Sequence, residues 1–241
     1  MVELEVDDGL AVITINRPQA RNAIAPATMA ELENALDALD GRTDVHALAI
    51  RGAGDRAFVS GGDLKELAAL RTEAQAAAMA WRMRTICDRI AAFPGPVIAA
   101  LNGHALGGGA EVAVAADIRI AADDIRIGFN QVALAIMPAW GGAERLAALV
   151  GAGRALLLAG GGRILSAAEA ERIGLVDLVV PRATFETDWF DAARALANPS
   201  AVQIKRVIRG VPASAAVSAF ARLWVADEHW QAADKVLNRT T

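Results

Sequence analysis

Residues 96–122 read PVIAALNGHALGGGAEVAVAADIRIAA, and this stretch decides the fold. Val97–Leu101 is a short apolar run of the kind that forms a fully buried strand. Residues 102–109, NGHALGGG, make a glycine-rich loop. Ala110–Ala116 reads as a helix, and Ile118–Ala121 as another strand. No charge interrupts the run between Arg89 and Glu111, which makes it long enough to consider as a membrane span. Pro94, Pro96, Asn102 and the glycine cluster break it, so a buried strand followed by a loop is the better reading.

The same alternation extends outward. Upstream, Val2–Val6, Asp7-Asp8-Gly9 and Leu10–Ile15 read as strand, turn and strand. Pro26 opens a helix whose apolar stripe is Met29, Leu32, Leu36 and Leu39, with Gly41 as its stop. Ala47–Ile50 is a short buried strand, and residues 51–63, RGAGDRAFVSGGD, form a first glycine-bearing loop. Thr72 with Gln75 predicts a capping box on a helix through about Ile90. Downstream, Ile125–Ile127 is strand-like, Ser166 with Glu169 is a second capping box, and Val176–Val180 is a strand closed by Pro181. From Thr184 only helix follows, over about 185–197, 200–209 and 213–237. The pattern predicts an α/β core over residues 1–183 and a helical C-terminal region over 184–241.

Composition limits the classes of function. Of 241 residues, 54% are hydrophobic and 22% charged, which excludes a disordered chain. A net charge of −4 argues against a general nucleic-acid binder. Cys87 is the only cysteine, so no internal disulfide forms and a reducing, cytoplasmic setting is expected. The acidic start, MVELEVDDG, is unlike a signal peptide, and no membrane association is expected. Tyrosine is absent, so no phenol takes part in any mechanism. Three scattered histidines and one cysteine lack the spacing of a metal site, so no metal is expected. His104, in the second glycine loop, reads as structural.

Ser60-Gly61-Gly62-Asp63 and Gly107-Gly108-Gly109 share one design. Each follows a strand, holds adjacent glycines and enters a helix. Main-chain N–H groups at a helix start lack partners within the helix, and glycine lets a ligand approach them closely. Two such groups converging on one point make an oxyanion hole. Glu111 sits two residues past the second loop. It either complements the dipole of its own helix or is a buried carboxylate beside that hole. Neither loop reads G-x-G-x-x-G, which argues against a dinucleotide site.

Five segments occur in a set order: RPQARNAIAPATMAEL from Arg17, DRAFVSGGDLKEL from Asp55, residues 96–122, MPAWGGAERLAALVG from Met137 and LSAAEAERIGLVDLVVP from Leu165. Together they closely resemble the crotonase superfamily, the enoyl-CoA hydratase/isomerase family, over roughly residues 1–210. The resemblance implies a spiral of ββα units and a helical C-terminal trimerisation region, with homotrimers or dimers of trimers. It implies an acyl-CoA thioester as substrate, with coenzyme A part of that substrate and no separate cofactor. Matched residue by residue, Gly62 and Gly108 would hold the thioester oxygen, and Glu111 would be the first catalytic glutamate. Arg21 and Ala23, with Gly62, Asp63, Leu64 and Lys65, would line the coenzyme A path.

The chain departs from the family pattern at four points, one of them Gly62, which stands where alanine is more usual and leaves the backbone donor intact. In GFNQVALAIMP, the family's second glutamate aligns with Gln131, an amide that orients water but cannot carry a proton at neutral pH. Ala139-Trp140 replaces the usual Gly-Ala, so Trp140 would either restrict the acyl pocket or simply pack. The family's basic ending is shortened to Asn238-Arg239-Thr240-Thr241, and no phosphate contact is expected there. The leading expectation is an enzyme of hydratase/isomerase type that stabilises a thioester enolate, with Gln131 holding water or a polar acyl group. The alternatives are a decarboxylase of a malonyl-type CoA ester, which needs only one proton donor, and a catalytically reduced acyl-CoA binding protein.

Overall fold

The structure is a computed structural model, and it describes residues 1–238. The expectation about the basic ending falls on Arg239–Thr241, which lie outside the described residues.

β1 (Val2–Asp7) and β2 (Leu10–Ile15) form an antiparallel hairpin. Asp8 and Gly9 both have positive φ, at 43° and 80°, the conformation a two-residue hairpin turn requires. After α1 (Pro26–Asp37) the chain runs through β3 (Ala47–Gly52), β4 (Ala57–Val59), α2 (Leu64–Leu67) and α3 (Glu73–Ala92). It then repeats the order with β5 (Val97–Leu101), β6 (His104–Leu106) and α4 (Gly108–Ala113). A third round has β7 (Ile118–Ala122), β8 (Arg126–Gly128), a 3-10 turn at Gln131–Leu134, α5 (Gly142–Val150) and α6 (Ala152–Gly161). β9 (Ile164–Ser166), α7 (Ala167–Arg172) and β10 (Leu178–Val180) close the core. The helices α8 (Phe185–Leu196), α9 (Pro199–Ile208), α10 (Ala213–Trp224) and α11 (Asp227–Leu237) follow.

Each round sends its first strand to one sheet and its second to another. One sheet has six strands in the order β1-β2-β3-β5-β7-β10, and the other has four in the order β4-β6-β8-β9. This stepwise climb is a spiral of ββα units. The strand β5, inside the long uncharged run, is buried at every residue. No helix among the described residues is long and apolar enough to cross a membrane.

Two residue ranges read as loops each contain a three-residue strand, β4 in 51–63 and β6 in 102–109. Three residues are too few to show a period, and these strands exist only because β4, β6 and β8 pair side by side. The helix predicted over 213–237 is two helices. Ala226 is extended, at φ −71° and ψ 147°, and the break brings the Trp224 ring to 4.5 Å from His229 and 5.7 Å from Trp230. The pair α5–α6 has no counterpart in the sequence reading. Both capping boxes form, at Thr72/Gln75 and at Ser166/Glu169.

Two buried carboxamides position the second sheet. Asn22 accepts from the Arg17 main-chain N–H and donates to the carbonyls of Ala53 and Ala57. Asn102 accepts from the Gly52 main-chain N–H and donates to the Gly54 carbonyl. Together they pin the turn between β3 and β4, and the Asn22 amide serves the buried Ala57 carbonyl there. Phe185, Trp189 and Ala193 of α8 join the main core. Beyond it, Phe220, Trp224 and Trp230 leave large apolar surfaces exposed on α10 and α11.

Candidate active site

The ends of β4 and β6 lie side by side, and the two glycine turns leave from them. Gly61 has φ +100° and Gly107 φ +55°, values that favour glycine. A Cβ on Gly61 would lie 3.3 Å from the Gly108 nitrogen, so the turns are in contact. Ile24 bridges alongside Gly62, its N–H donating to the Gly61 carbonyl and its carbonyl accepting from the Asp63 N–H, each at 2.8 Å. In an extended segment, that pairing turns the N–H of Gly62 to the opposite side. The Gly108 N–H opens α4, where no preceding turn of helix accepts it. Among the described residues, neither the Gly62 nor the Gly108 N–H donates to a protein group.

Glu111 stands one turn into α4 and is 2% exposed. Its Oε2 accepts from the main-chain N–H of Trp140 at 2.7 Å and of Gly142 at 3.0 Å. Gly142 is the first residue of α5, so the carboxylate sits on the N-terminus of α5 rather than serving its own helix. A Cβ on Gly142 would lie 2.3 Å from the Glu111 Cγ, so glycine there is what admits the side chain. Oε1 accepts from the Gln131 Nε2 at 2.9 Å. Burial pushes the Glu111 carboxyl above its ordinary value. The N–H donors of Gly142 and Trp140 and the Gln131 amide offset part of that rise by favouring the charged form.

Gln131 is 6% exposed and opens the 3-10 turn. Its amide is oriented by the carboxylate it serves, which leaves Oε1 buried with no donor in the protein. Trp140 is also buried, and its ring covers Gly108. Cys87 is fully buried and its thiol is pushed up to about 12, so it offers no nucleophile near neutrality.

The structure thus groups Gly62, Gly108, Glu111, Gln131 and Trp140. The residues expected along the outer path are more dispersed. Ala23 is buried, its carbonyl held by Arg17 Nη1 at 2.6 Å. Asp63 caps α2 and pairs with Arg17 at 3.1 Å. Leu64 and Lys65 are exposed on α2. Arg21 lines a cavity of about 540 Å³ together with Ser60, Leu106, Arg56, His104 and Arg182, and with Asp55 and Asp124, the second of which pairs with Arg182. Ser60 and Leu106 stand two residues before Gly62 and Gly108, so the cavity abuts both turns.

Sequence reading missed Arg17, Arg56 and Arg182. Arg17 is buried and ties Ala23 to Asp63 and Glu66, a role with no spacing signature because its partners lie in a different ββα round. Arg182 comes from the far end of the core and donates to the Asn102 carbonyl at 2.7 Å. His104, expected to be structural, accepts from the Arg126 N–H through Nδ1 and also lines this cavity.

A family model described as enoyl-CoA hydratase/isomerase matches residues 5–229. The short-chain-enoyl-CoA hydratase of Clostridium acetobutylicum is 37% identical over 197 residues, 82% of this chain and 74% of that protein. The crotonyl-CoA hydratase of Syntrophomonas wolfei is 42% identical over 177 residues, 73% of this chain and 68% of that protein. A crystal structure of an enoyl-CoA hydratase from Bacillus anthracis aligns with a TM-score of 0.83 at 34% identity, covering 95% of this chain and 91% of that one.

Proposed function

We propose, since the chain belongs to the enoyl-CoA hydratase/isomerase family of the crotonase superfamily, that it adds water to an enoyl-CoA thioester through a cycle with one carboxylate. The thioester oxygen accepts from the N–H groups of Gly62 and Gly108. Water adds through its oxygen to Cβ, and Glu111 takes the proton it loses. The C=C electrons move into the thioester as an enolate, whose O⁻ the two N–H groups hold. Glu111 then returns the same proton to Cα. Each donor of this kind contributes roughly 3–4 kcal/mol to the transition state in other oxyanion holes. Proton transfer between the allylic carbons of a 3-enoyl ester would use the same carboxylate and the same enolate.

The single observation that carries hydration over decarboxylation is the orphaned Oε1 of Gln131. With one Nε2 hydrogen on Glu111, Oε1 stands as a buried acceptor that no protein group serves. A water or hydroxyl hydrogen satisfies it, whereas the carboxylate of a malonyl-type ester brings no hydrogen. The cavity beside Ser60 and Leu106 offers Arg21 and Arg56 to the phosphate end of coenzyme A, Arg182 being paired with Asp124. Self-association through the exposed aromatic face of α10 and α11 belongs to the same proposal.

Steady-state assays with crotonyl-CoA, a 3-enoyl-CoA and methylmalonyl-CoA test the assignment. Hydration of crotonyl-CoA with no carbon dioxide release from methylmalonyl-CoA is expected, and the reverse pattern would replace hydration by decarboxylation. Gln131→Glu adds a second proton carrier and is expected to raise hydration by about 10²-fold, the lower end for a general acid–base group.

The pH profile carries a second expectation. Glu111 works as the carboxylate, and its carboxyl is raised by burial. Activity therefore falls, as pH drops, at a value above that of an ordinary glutamate. Gln131→Leu removes a donor that favours the charged form, so it is expected to move this acid limb to still higher pH. An unmoved limb in kcat/KM would remove Glu111 as the titrating base.

A further inference from the structure

Trp140 lies on both glycines at once. A Cβ on Gly108 would be 2.2 Å from Cζ3, 2.5 Å from Cη2 and 2.9 Å from Cε3 of the indole. A Cβ on Gly62 would be 4.0 Å from Cζ2 of the same ring. The six-membered ring therefore spans the two residues whose N–H groups have no partner in the protein. The backbone of Trp140 is held from both sides, since its N–H donates to Glu111 and its carbonyl accepts from Arg145 Nη1 at 3.2 Å. With the main chain anchored, the ring leaves this place only by side-chain rotation, and at 6% exposure it has little free volume to rotate into.

We infer that Trp140 limits the acyl chain to a short one, by filling the space that a longer chain would enter beyond Cβ. This inference rests on the reading that Gly62 and Gly108 hold the thioester oxygen. A chain bound there starts between the glycines and Glu111. Glu111 closes one side of it, through a carboxylate fixed by three hydrogen bonds. The indole lies against both glycines. On this inference a four-carbon acyl group is accommodated and a ten-carbon group meets the ring. In an apolar pocket a single methylene changes selectivity by roughly 10- to 200-fold, so a bulky side chain removed from that position has a large effect on chain length.

The test is calorimetric binding of butanoyl-CoA and decanoyl-CoA, saturated esters that the enzyme cannot turn over. The wild type is expected to bind butanoyl-CoA more tightly. Trp140→Ala restores the small residue usual in the family and is expected to shift the ratio of the two Kd values toward decanoyl-CoA by at least about 10-fold. Trp140→Phe keeps a smaller ring and is expected to fall between, which also provides a readout should the alanine variant fold poorly. Ratios within twofold of one another in all three proteins would overturn the inference while leaving thioester binding intact. Absence of binding by either ester in any of the proteins would overturn the thioester reading, and the inference with it.

Discussion

Glu111→Gln is expected to lose about 10²–10⁴-fold in kcat/KM for crotonyl-CoA, with a melting temperature close to that of the wild type. The loss follows from chemistry, because an amide cannot take the proton from water or return it to carbon. The retained fold follows from geometry. An amide oxygen keeps both N–H donors now on Oε2, those of Trp140 and Gly142. The amide nitrogen would then face Gln131 Nε2, and a turn of the Gln131 amide resolves that conflict. The turn brings Gln131 Oε1, an orphan in the wild type, into a hydrogen bond. Burial of a neutral group in place of a charged one also removes a desolvation penalty. Activity within 10-fold of the wild type would remove Glu111 from the reaction. A large drop in melting temperature would make it a structural group instead.

Gly109→Ala is expected to lose both stability and activity. A Cβ there would lie 1.7 Å from the Val59 carbonyl oxygen and 2.6 Å from its carbon, both backbone atoms that cannot rotate away. Strain of this kind costs at least the ~3 kcal/mol at the upper end for overpacking, or about 6–12 °C in melting temperature for a chain this size. Relief requires α4 to move away from β4, which separates Gly108 from Gly61 and Gly62. Gly153→Ala in α6 is the control, since a Cβ there meets nothing within 4 Å. It is expected to be neutral or to gain roughly 0.5–1 kcal/mol from the lower chain entropy of alanine. Thermal melts and crotonyl-CoA rates on both variants check the pair. An equally stable and active Gly109→Ala protein would show that the two turns do not need this close approach.

Elements that carry their own signal are legible in the amino-acid sequence. The hairpin around Asp8-Gly9, the capping boxes at Thr72 and Ser166 and the buried run of β5 each depend on residues near in sequence. The glycine turns at Gly61-Gly62 and Gly107-Gly108 are legible for the same reason. Elements whose stability comes from neighbours are not. β4 and β6 are three residues each and exist through pairing with one another. The break at Ala226 answers to a ring cluster rather than to a proline or glycine.

The sequence by itself determined the alternation of strands and helices, the two glycine turns and the presence of Glu111 and Gln131 after them, because backbone propensity and residue chemistry are local. Only the tertiary structure decided what those groups face. It set the Glu111 carboxylate on the N-terminus of α5 and the Trp140 ring across both glycines, and it left one oxygen of Gln131 without a donor. These are contacts between residues of different ββα rounds, formed when the spiral closes. Close packing then fixes distances that no sequence spacing encodes.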